Sequence, residues 1–501
     1  MRINFLLRSF VAAVLVVIAA TWIACNSTNR DAKPSAPAKS GKVPVTTKSE
    51  EARKEFLQGR DLADKLLAQD SIEHFDKAIA LDPQFASAEL ARATAAATAH
   101  EFFDHLNKAV SLADKASDGE KALILATEAG TNGDTVKQKE YLDKAVAAYP
   151  GDERVRFAYG TFQFGQQDFA AAIEHLKKGA EVAPDYSPTY NMLGYSYRQA
   201  GDYPNAEQAF KKYTVLIPND PNPYDSYGEL LLKMGRFDDS ITQYRKALSI
   251  DPNFVASHFG ISADLMYQGK QQDASAELQK IIDKARSDGD RRLALFGLAV
   301  VAADNGKLDE AVQWMGKEYA VAEKASDAAA MAADLQAKGN ILVEAQKFDV
   351  AKQVFDSSVK LIQASNLSKE IKDNAQLVQH YNLGRIATGK KDYKTAKAEA
   401  AEFATGAEAS KNPVLERQSH ELEGMIALAG KDYDKALAEL QQANQQNPQD
   451  MYRMAQAYDG KGDTAKAREL YAQAAAFNSL PQLNYAFVRV KAQKMAGGKK
   501  G

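Results

Sequence analysis

A single cysteine in 501 residues excludes a disulfide framework. An excess of one charge is lacking too. With 63 basic and 66 acidic residues the formal charge is −3, and loss of Arg2 and Arg8 with a cleaved leader would make it more negative, so there is no footprint for a polyanion. Proline and glycine, at 15 and 30, are too few for a low-complexity chain. Catalytic signatures are missing: there is no G-x-S-x-G elbow and no Walker-type phosphate loop. His100-Glu101-Phe102-Phe103-Asp104-His105 falls short of the zinc-binding H-E-x-x-H, because Asp104 takes the second histidine's place and His105 leaves the His100 face. His100 and Asp104 alone share a face, and His74, His175, His258, His380 and His420 are isolated in the sequence. Gly460-Lys461-Gly462-Asp463-Thr464-Ala465 imitates a dinucleotide loop but has no preceding strand, so it reads as an inter-helix turn. No catalytic residue, cofactor site or metal site is expected.

What is present begins with a leader. Residues 1–24 carry Arg2 and Arg8 and then an unbroken apolar stretch from Phe10 to Ala20, the grammar of a signal peptide. The run from Phe10 to Cys25 spans 16 residues, fewer than the ~20 of a membrane-spanning helix. Trp22-Ile23-Ala24-Cys25 resembles a bacterial lipobox, with Trp22 where leucine is usual, and that resemblance implies lipid attachment at Cys25, the alternative being an uncleaved anchor with an incidental thiol. The chain is then expected on the periplasmic side of a bacterial cell envelope. Asn26 in place of a retention-type aspartate favours the outer over the inner membrane. Residues 25–49 read as the lipid-attached cysteine and a flexible linker, rich in Pro, Ser, Thr, Lys and Ala and without apolar periodicity.

From residue 50 the chain repeats itself. Tyr190, Leu193, Gly194, Tyr197 and Gly201 match Tyr224, Tyr227, Gly228, Leu231 and Gly235 at a constant offset of 34, and Pro150, Pro184, Pro218 and Pro252 keep the same spacing. A fixed period of this size signals stacked repeats, with each proline placed where it ends a helix harmlessly. Gly194, Gly228, Ala206 and Ala247 fall where helices approach closely, while Tyr190, Leu193, Phe210 and Tyr244 fill the gaps. FDKAIALDP at 75–83 and a last unit with Tyr458, Gly462, Ala467, Tyr471 and Ala474 extend the register to about twelve units.

Aromatic, small and proline residues at these offsets resemble the tetratricopeptide pattern, a helix-turn-helix unit used mostly as a platform for other proteins. The resemblance implies an all-α fold: a right-handed α-solenoid of about twelve stacked helix-turn-helix repeats with a C-terminal capping helix. Repeats are assigned to 50–319, clearest over 153–252, and again to 377–480, with 481–501 as capping helix and basic tail. Residues 320–376 are divergent and form a candidate hinge.

In that family the first helix of each unit lines the concave face. Carried over by phase, the groove residues are Arg154, Phe157, Asn191, Tyr195, Arg198, Asp225, Glu229, Phe259, Met266 and Tyr267. Such a mixed aromatic and charged lining suits an extended peptide or a partner helix. The subtype that clamps a terminal carboxylate is excluded, because Asn191 with Tyr195 and Asp225 with Glu229 stand at its lysine and asparagine phases, and the acidic pair would repel a carboxylate. The expected function is a non-catalytic scaffold or adaptor, tethered to the envelope, holding a protein or peptide partner and no nucleic acid. The alternative is a soluble periplasmic carrier or receptor for a peptide or small ligand.

Overall fold

The computed structural model describes residues 41–65, 67–96 and 98–497. The expected signal peptide, the lipobox with Cys25 and the linker through residue 40 lie outside the described residues. Two compact units divide between Leu230 and Leu231. The front unit holds α1 (Glu50–Asp64), α2 (Ala68–Leu81), α3 (Ala86–Ala95), α4 (Ala99–Leu112), α5 (Asp118–Thr131), α6 (Thr135–Ala148), α7 (Glu153–Gly165), α8 (Phe169–Val182), α9 (Ser187–Gln199) and α10 (Tyr203–Leu216). The division falls inside α11 (Pro221–Lys233). The rear unit continues with α12 (Phe237–Ile250), α13 (Val255–Tyr267), α14 (Gln271–Asp283), α15 (Asp288–Asp304), α16 (Leu308–Lys324), α17 (Ala328–Glu344) and α18 (Phe348–Ala364). It ends with α19 (Lys369–Gly389), α20 (Tyr393–Ser410), α21 (Pro413–Ala429), α22 (Tyr433–Leu440), α23 (Pro448–Gly460), α24 (Thr464–Ala475), α25 (Leu483–Ala486) and α26 (Arg489–Ala496). The helices α1 to α24 form twelve consecutive pairs in an all-α solenoid, with no strand among the described residues.

Each pair is specified locally. The turn inside a repeat commonly ends in an aspartate that caps the second helix: Asp134, Asp168, Asp202, Asp392, Asp432 and Asp463 each accept a backbone N–H three residues on. Glycine marks the closest approaches. A Cβ on Gly194 would sit 2.5 Å from the Phe210 ring, and one on Gly260 would collide with Tyr244. These contacts join the two helices of one repeat, or one repeat to the next, and bury stripes that no single helix could cover.

The first helices α7, α9, α11 and α13 begin at 153, 187, 221 and 255, which reproduces the offset of 34. Further on, α15, α17, α19 and α21 begin at 288, 328, 369 and 413, spacings of 40, 41 and 44. The cause is helix length. The front helices α7, α9 and α11 have 13 residues, whereas α15 to α18 have 17 each. Four added residues make about one extra turn, so the buried faces keep their direction while the sequence register is lost. The stretch 320–376 is therefore divergent because its helices are longer. The division of the chain is at Leu230 and Leu231, and α16, α17 and α18 pack on one another in succession through the stretch that held the candidate hinge.

Both ends of the described chain lie against the repeats. Lys42 to Thr47, assigned above to the linker, form a helix-free strap on the front unit. Val43 and Val45 turn toward apolar clusters of the repeats, and Lys42, Pro44 and Thr46 face outward. The Val43 N–H donates to Asp152 (2.8 Å), the Thr46 N–H to Glu120 (2.9 Å) and the Thr47 hydroxyl to Asp82 (2.6 Å). These acids stand at or just before the starts of α7, α5 and α3. At the other end the expected capping helix is broken at Phe487 and Val488 into α25 and α26. The latter packs on α24, and Ala496 joins the core of the last repeat.

Candidate partner-binding groove

First helices touch the first helices of the next repeat: α1 meets α3, α3 meets α5 and α7 meets α9, and in the rear unit α13 meets α15, α19 meets α21 and α21 meets α23. Second helices make no comparable mutual contact among the described residues. The first helices therefore form the inner layer of each unit.

On the front unit, side chains of α1 and α7 meet, which joins the first repeat to the fourth. Arg154 on α7 donates to both oxygens of Asp64 at the end of α1, at 3.0 and 2.6 Å. The Arg154 guanidinium lies 4.9 Å from the Tyr186 ring centre, and Phe157 meets that ring edge-on at 6.0 Å. Burial opposes the charge on Arg154, but Tyr186 and Asp64 outweigh it and raise its pKa. One repeat further, Arg198 stacks over Tyr195 at 4.8 Å and donates to Glu229 at 3.0 Å. Tyr195 is buried, edge-on to Phe210, with its hydroxyl 3.3 Å from the Ser226 hydroxyl. Burial pushes the Glu229 carboxyl up despite Arg198.

In the rear unit the ends of four first helices are covered by the chain itself. Lys233, Tyr267, Asp304 and Glu344 are the last residues of α11, α13, α15 and α17. The C-terminal segment passes them in order. Lys233 donates to the Phe477 carbonyl, and the Tyr267 hydroxyl donates to the Ser479 carbonyl. Tyr485 packs on the Tyr267 ring at 5.4 Å. Arg489 forms a two-pronged pair with Asp304, its Nε at 2.6 Å, and Lys491 pairs with Glu344. Asp304 and Arg489 are both buried, at 4% and 5% exposure, so this pair is sealed from solvent.

The tetratricopeptide-repeat family model matches residues 163–221, 222–254, 263–328 and 451–476. The chain is a tetratricopeptide-repeat protein. Among its relatives, the Mycosarcoma maydis small glutamine-rich tetratricopeptide repeat-containing protein 2 is 25% identical over 26% of this chain and 36% of its own length. The Saccharomyces cerevisiae anaphase-promoting complex subunit CDC16 is 29% identical over 36% of this chain and 22% of its own, and the Bacillus subtilis TPR repeat-containing protein YpiA is 23% identical over 38% and 45%. The chain thus spans less than half the length of these relatives. Solved structures similar in part include a tetratricopeptide repeat protein from Parabacteroides merdae (16% identity, 52% of this chain and 99% of that one, TM-score 0.36). Another is PilW, a type IV pilus biogenesis factor (15% identity, 45% and 96%, TM-score 0.33).

Within this tetratricopeptide array the expected groove residues separate into three groups. Arg154 and Phe157 gather around Tyr186 on the inner side of the front unit, and Asn191 and Arg198 are partly exposed on α9 of the next repeat, where Tyr195, expected to line the groove, is instead enclosed at 5% exposure. Asp225 and Glu229 are enclosed, at 3% and 5% exposure, and Glu229 is held by Arg198, so the open acidic pair expected from the sequence is corrected. Lysines at these two positions would bury new charge and unsettle the fold rather than report on binding. Phe259 and Met266, at 0% and 1%, are core residues, Phe259 packing toward Gly297. Tyr267 does face the inner layer, but its occupant is the chain's own C-terminal segment. Sequence reasoning missed Arg60, Asp64 and Tyr186, since no local pattern indicates that repeat one meets repeat four.

The histidines are not isolated in space. His258 pairs with Glu277, His380 with Glu399 (2.7 Å) and His420 with Glu439 (2.8 Å), each glutamate nineteen residues on, in the second helix of the same repeat. His74 with Glu55 (2.7 Å) and His105 with Glu89 (2.6 Å) do the same, and His100 lies 3.2 Å from Asp104 on an exposed face. These are intra-repeat braces. Among the described residues no group of three potential ligands could hold a metal.

Proposed function

We propose that this protein is a non-catalytic adaptor that holds an extended segment of a partner protein on the inner face of its front unit. Tetratricopeptide repeats generally mediate protein–protein interaction, and the observation that carries the reading further is the contrast between the two inner layers. In the rear unit the segment from Phe477 to Lys491 lies against the ends of four first helices. In the front unit Arg154, Phe157 and Tyr186 remain partly exposed on the corresponding side. The leader and lipobox-like sequence around Cys25 support attachment to the envelope on the periplasmic side, in the outer membrane by preference. Metabolic palmitate labelling of the natural protein against Cys25→Ala tests that part, and labelling that survives the substitution rejects it.

The adaptor reading is tested by placing a photocrosslinking amino acid at Phe157 or at Val215, which is 70% exposed on α10, a second helix of the same unit. A partner crosslinked in cells from position 157 and not from 215 is expected. Crosslinks only from the second-helix side would place the binding surface elsewhere.

A further inference from the structure

Beside the Arg154–Asp64 pair of the front unit stands a second arginine that the pair does not use. Arg60 lies one turn before Asp64 on α1, and both oxygens of Asp64 are taken by Arg154, with Tyr186 as an added donor at 3.4 Å. Among the described residues Arg60 has no carboxylate and no hydrogen-bond partner; its guanidinium only lies over the Phe56 ring at 5.6 Å. The nearby Glu153 is already paired with Lys42. Two arginines thus share one available acid, which leaves a positive charge uncompensated in a partly enclosed place. Its cost shows in the titration of the two guanidiniums: burial, and then Arg154, lower the pKa of Arg60, whereas that of Arg154 is raised. A half-buried arginine without a counter-charge favours whatever supplies one, and its planar fork suits a carboxylate.

Resting on the adaptor reading above, we propose that Arg60 receives an aspartate or glutamate side chain of the partner segment. Beside it, the rims of Phe157 and Tyr186 take an apolar or aromatic residue of the same segment. The favoured partner is an extended acidic and aromatic stretch. This differs from the terminal-carboxylate clamp excluded from the sequence: the acid is internal to the segment, and the receiving residue belongs to the first repeat.

The test uses the full chain and two end-capped, rhodamine-labelled peptides, one alternating aspartate with leucine and phenylalanine, the other with asparagine in place of each aspartate. Fluorescence anisotropy should show the acidic peptide binding more tightly and losing affinity as salt rises. Arg60→Gln should weaken the acidic peptide about tenfold or more, the scale of a hydrogen bond to a charged group, and leave the asparagine peptide unchanged. Arg60→Lys, which keeps the charge, should restore part of the loss. Because Arg60 gives up no hydrogen bond or ion pair and only its contact with the Phe56 ring, the unfolding midpoint of Arg60→Gln should stay close to that of the natural protein. Equal binding of both peptides, no binding of the acidic one, or an affinity indifferent to Arg60→Gln would overturn the proposal. Crosslinking from position 157 that persists in Arg60→Gln would then retain the adaptor reading while rejecting this one.

Discussion

The front and rear units use the same repeat to different ends. In the front unit an added peptide, the strap from Lys42 to Thr47, crosses the starts of first helices, and the inner side keeps an uncompensated arginine. In the rear unit the added peptide crosses the ends of first helices and brings its own arginine and lysine to Asp304 and Glu344. One inner side keeps an arginine without a counter-charge, and on the other the ends of four first helices are already occupied. The lesson is that a position's phase within a repeat tells which layer it joins, while occupancy depends on segments outside the repeats.

The comparison breaks most directly at Asp304. Asp304→Ala leaves Arg489 buried without a counter-charge, at about 3–5 kcal/mol, and thermal unfolding followed by hydrogen exchange should show the rear unit loosening while the front amides keep their protection. Gly194→Leu does the reverse. The new side chain meets the Phe210 ring, so the front unit should lose about 1–3 kcal/mol in a urea titration while the rear unit holds.

A titration effect sharpens the contrast. Burial pushes the Asp264 carboxyl in α13 up to about 8 from an ordinary 3.8. Between those values the folded rear unit keeps a proton that the unfolded chain releases, so its stability is fully present below the lower value and declines as pH rises toward the upper one. Asp264→Asn should flatten this decline and raise stability near pH 8 by roughly 2 kcal/mol, read as melting curves at several pH values. Asp450 in the same unit is likewise pushed up to about 8, by burial and then by Glu421, so a residual slope in the same direction is expected. The smallest effect concerns a turn. Lys391 has φ of +62°, in the place where Gly201 and Gly235 have +79° and +74° in the shorter repeats. Lys391→Gly should stabilise the rear unit by about 1 kcal/mol or slightly more by relieving the left-handed backbone.

That turn also shows how far the fold was legible in the sequence. Where glycine ends the first helix, at Gly201, Gly235 and Gly269, the period of 34 was plain and the structure repeats it. Where Gln167, Gln346, Lys391 and Lys431 occupy the left-handed position, the strongest punctuation is missing, and in the longer repeats an added helical turn shifts the spacing as well. The candidate groove was legible as a layer and not as a surface. Arg154, Phe157 and Arg198 belong to it, but Phe259 is sealed by its neighbours and Tyr267 by residues more than two hundred positions away. A hint lay in the C-terminal segment: Leu483, Tyr485, Ala486, Phe487 and Val488 form a nearly unbroken apolar run, as burial on more than one side requires.

The strap has a mechanical consequence. Any pull on the chain ahead of Gly41 reaches Lys42 first, where Glu153 and Asp152 hold it at the start of α7. The load path therefore enters the front unit where its third and fourth repeats meet and bypasses the first two for as long as Lys42 and Val43 stay seated. Only when the strap peels away does tension pass to Ser49 and α1, so these few residues act as a mechanical fuse protecting the repeat that carries Arg60 and Asp64.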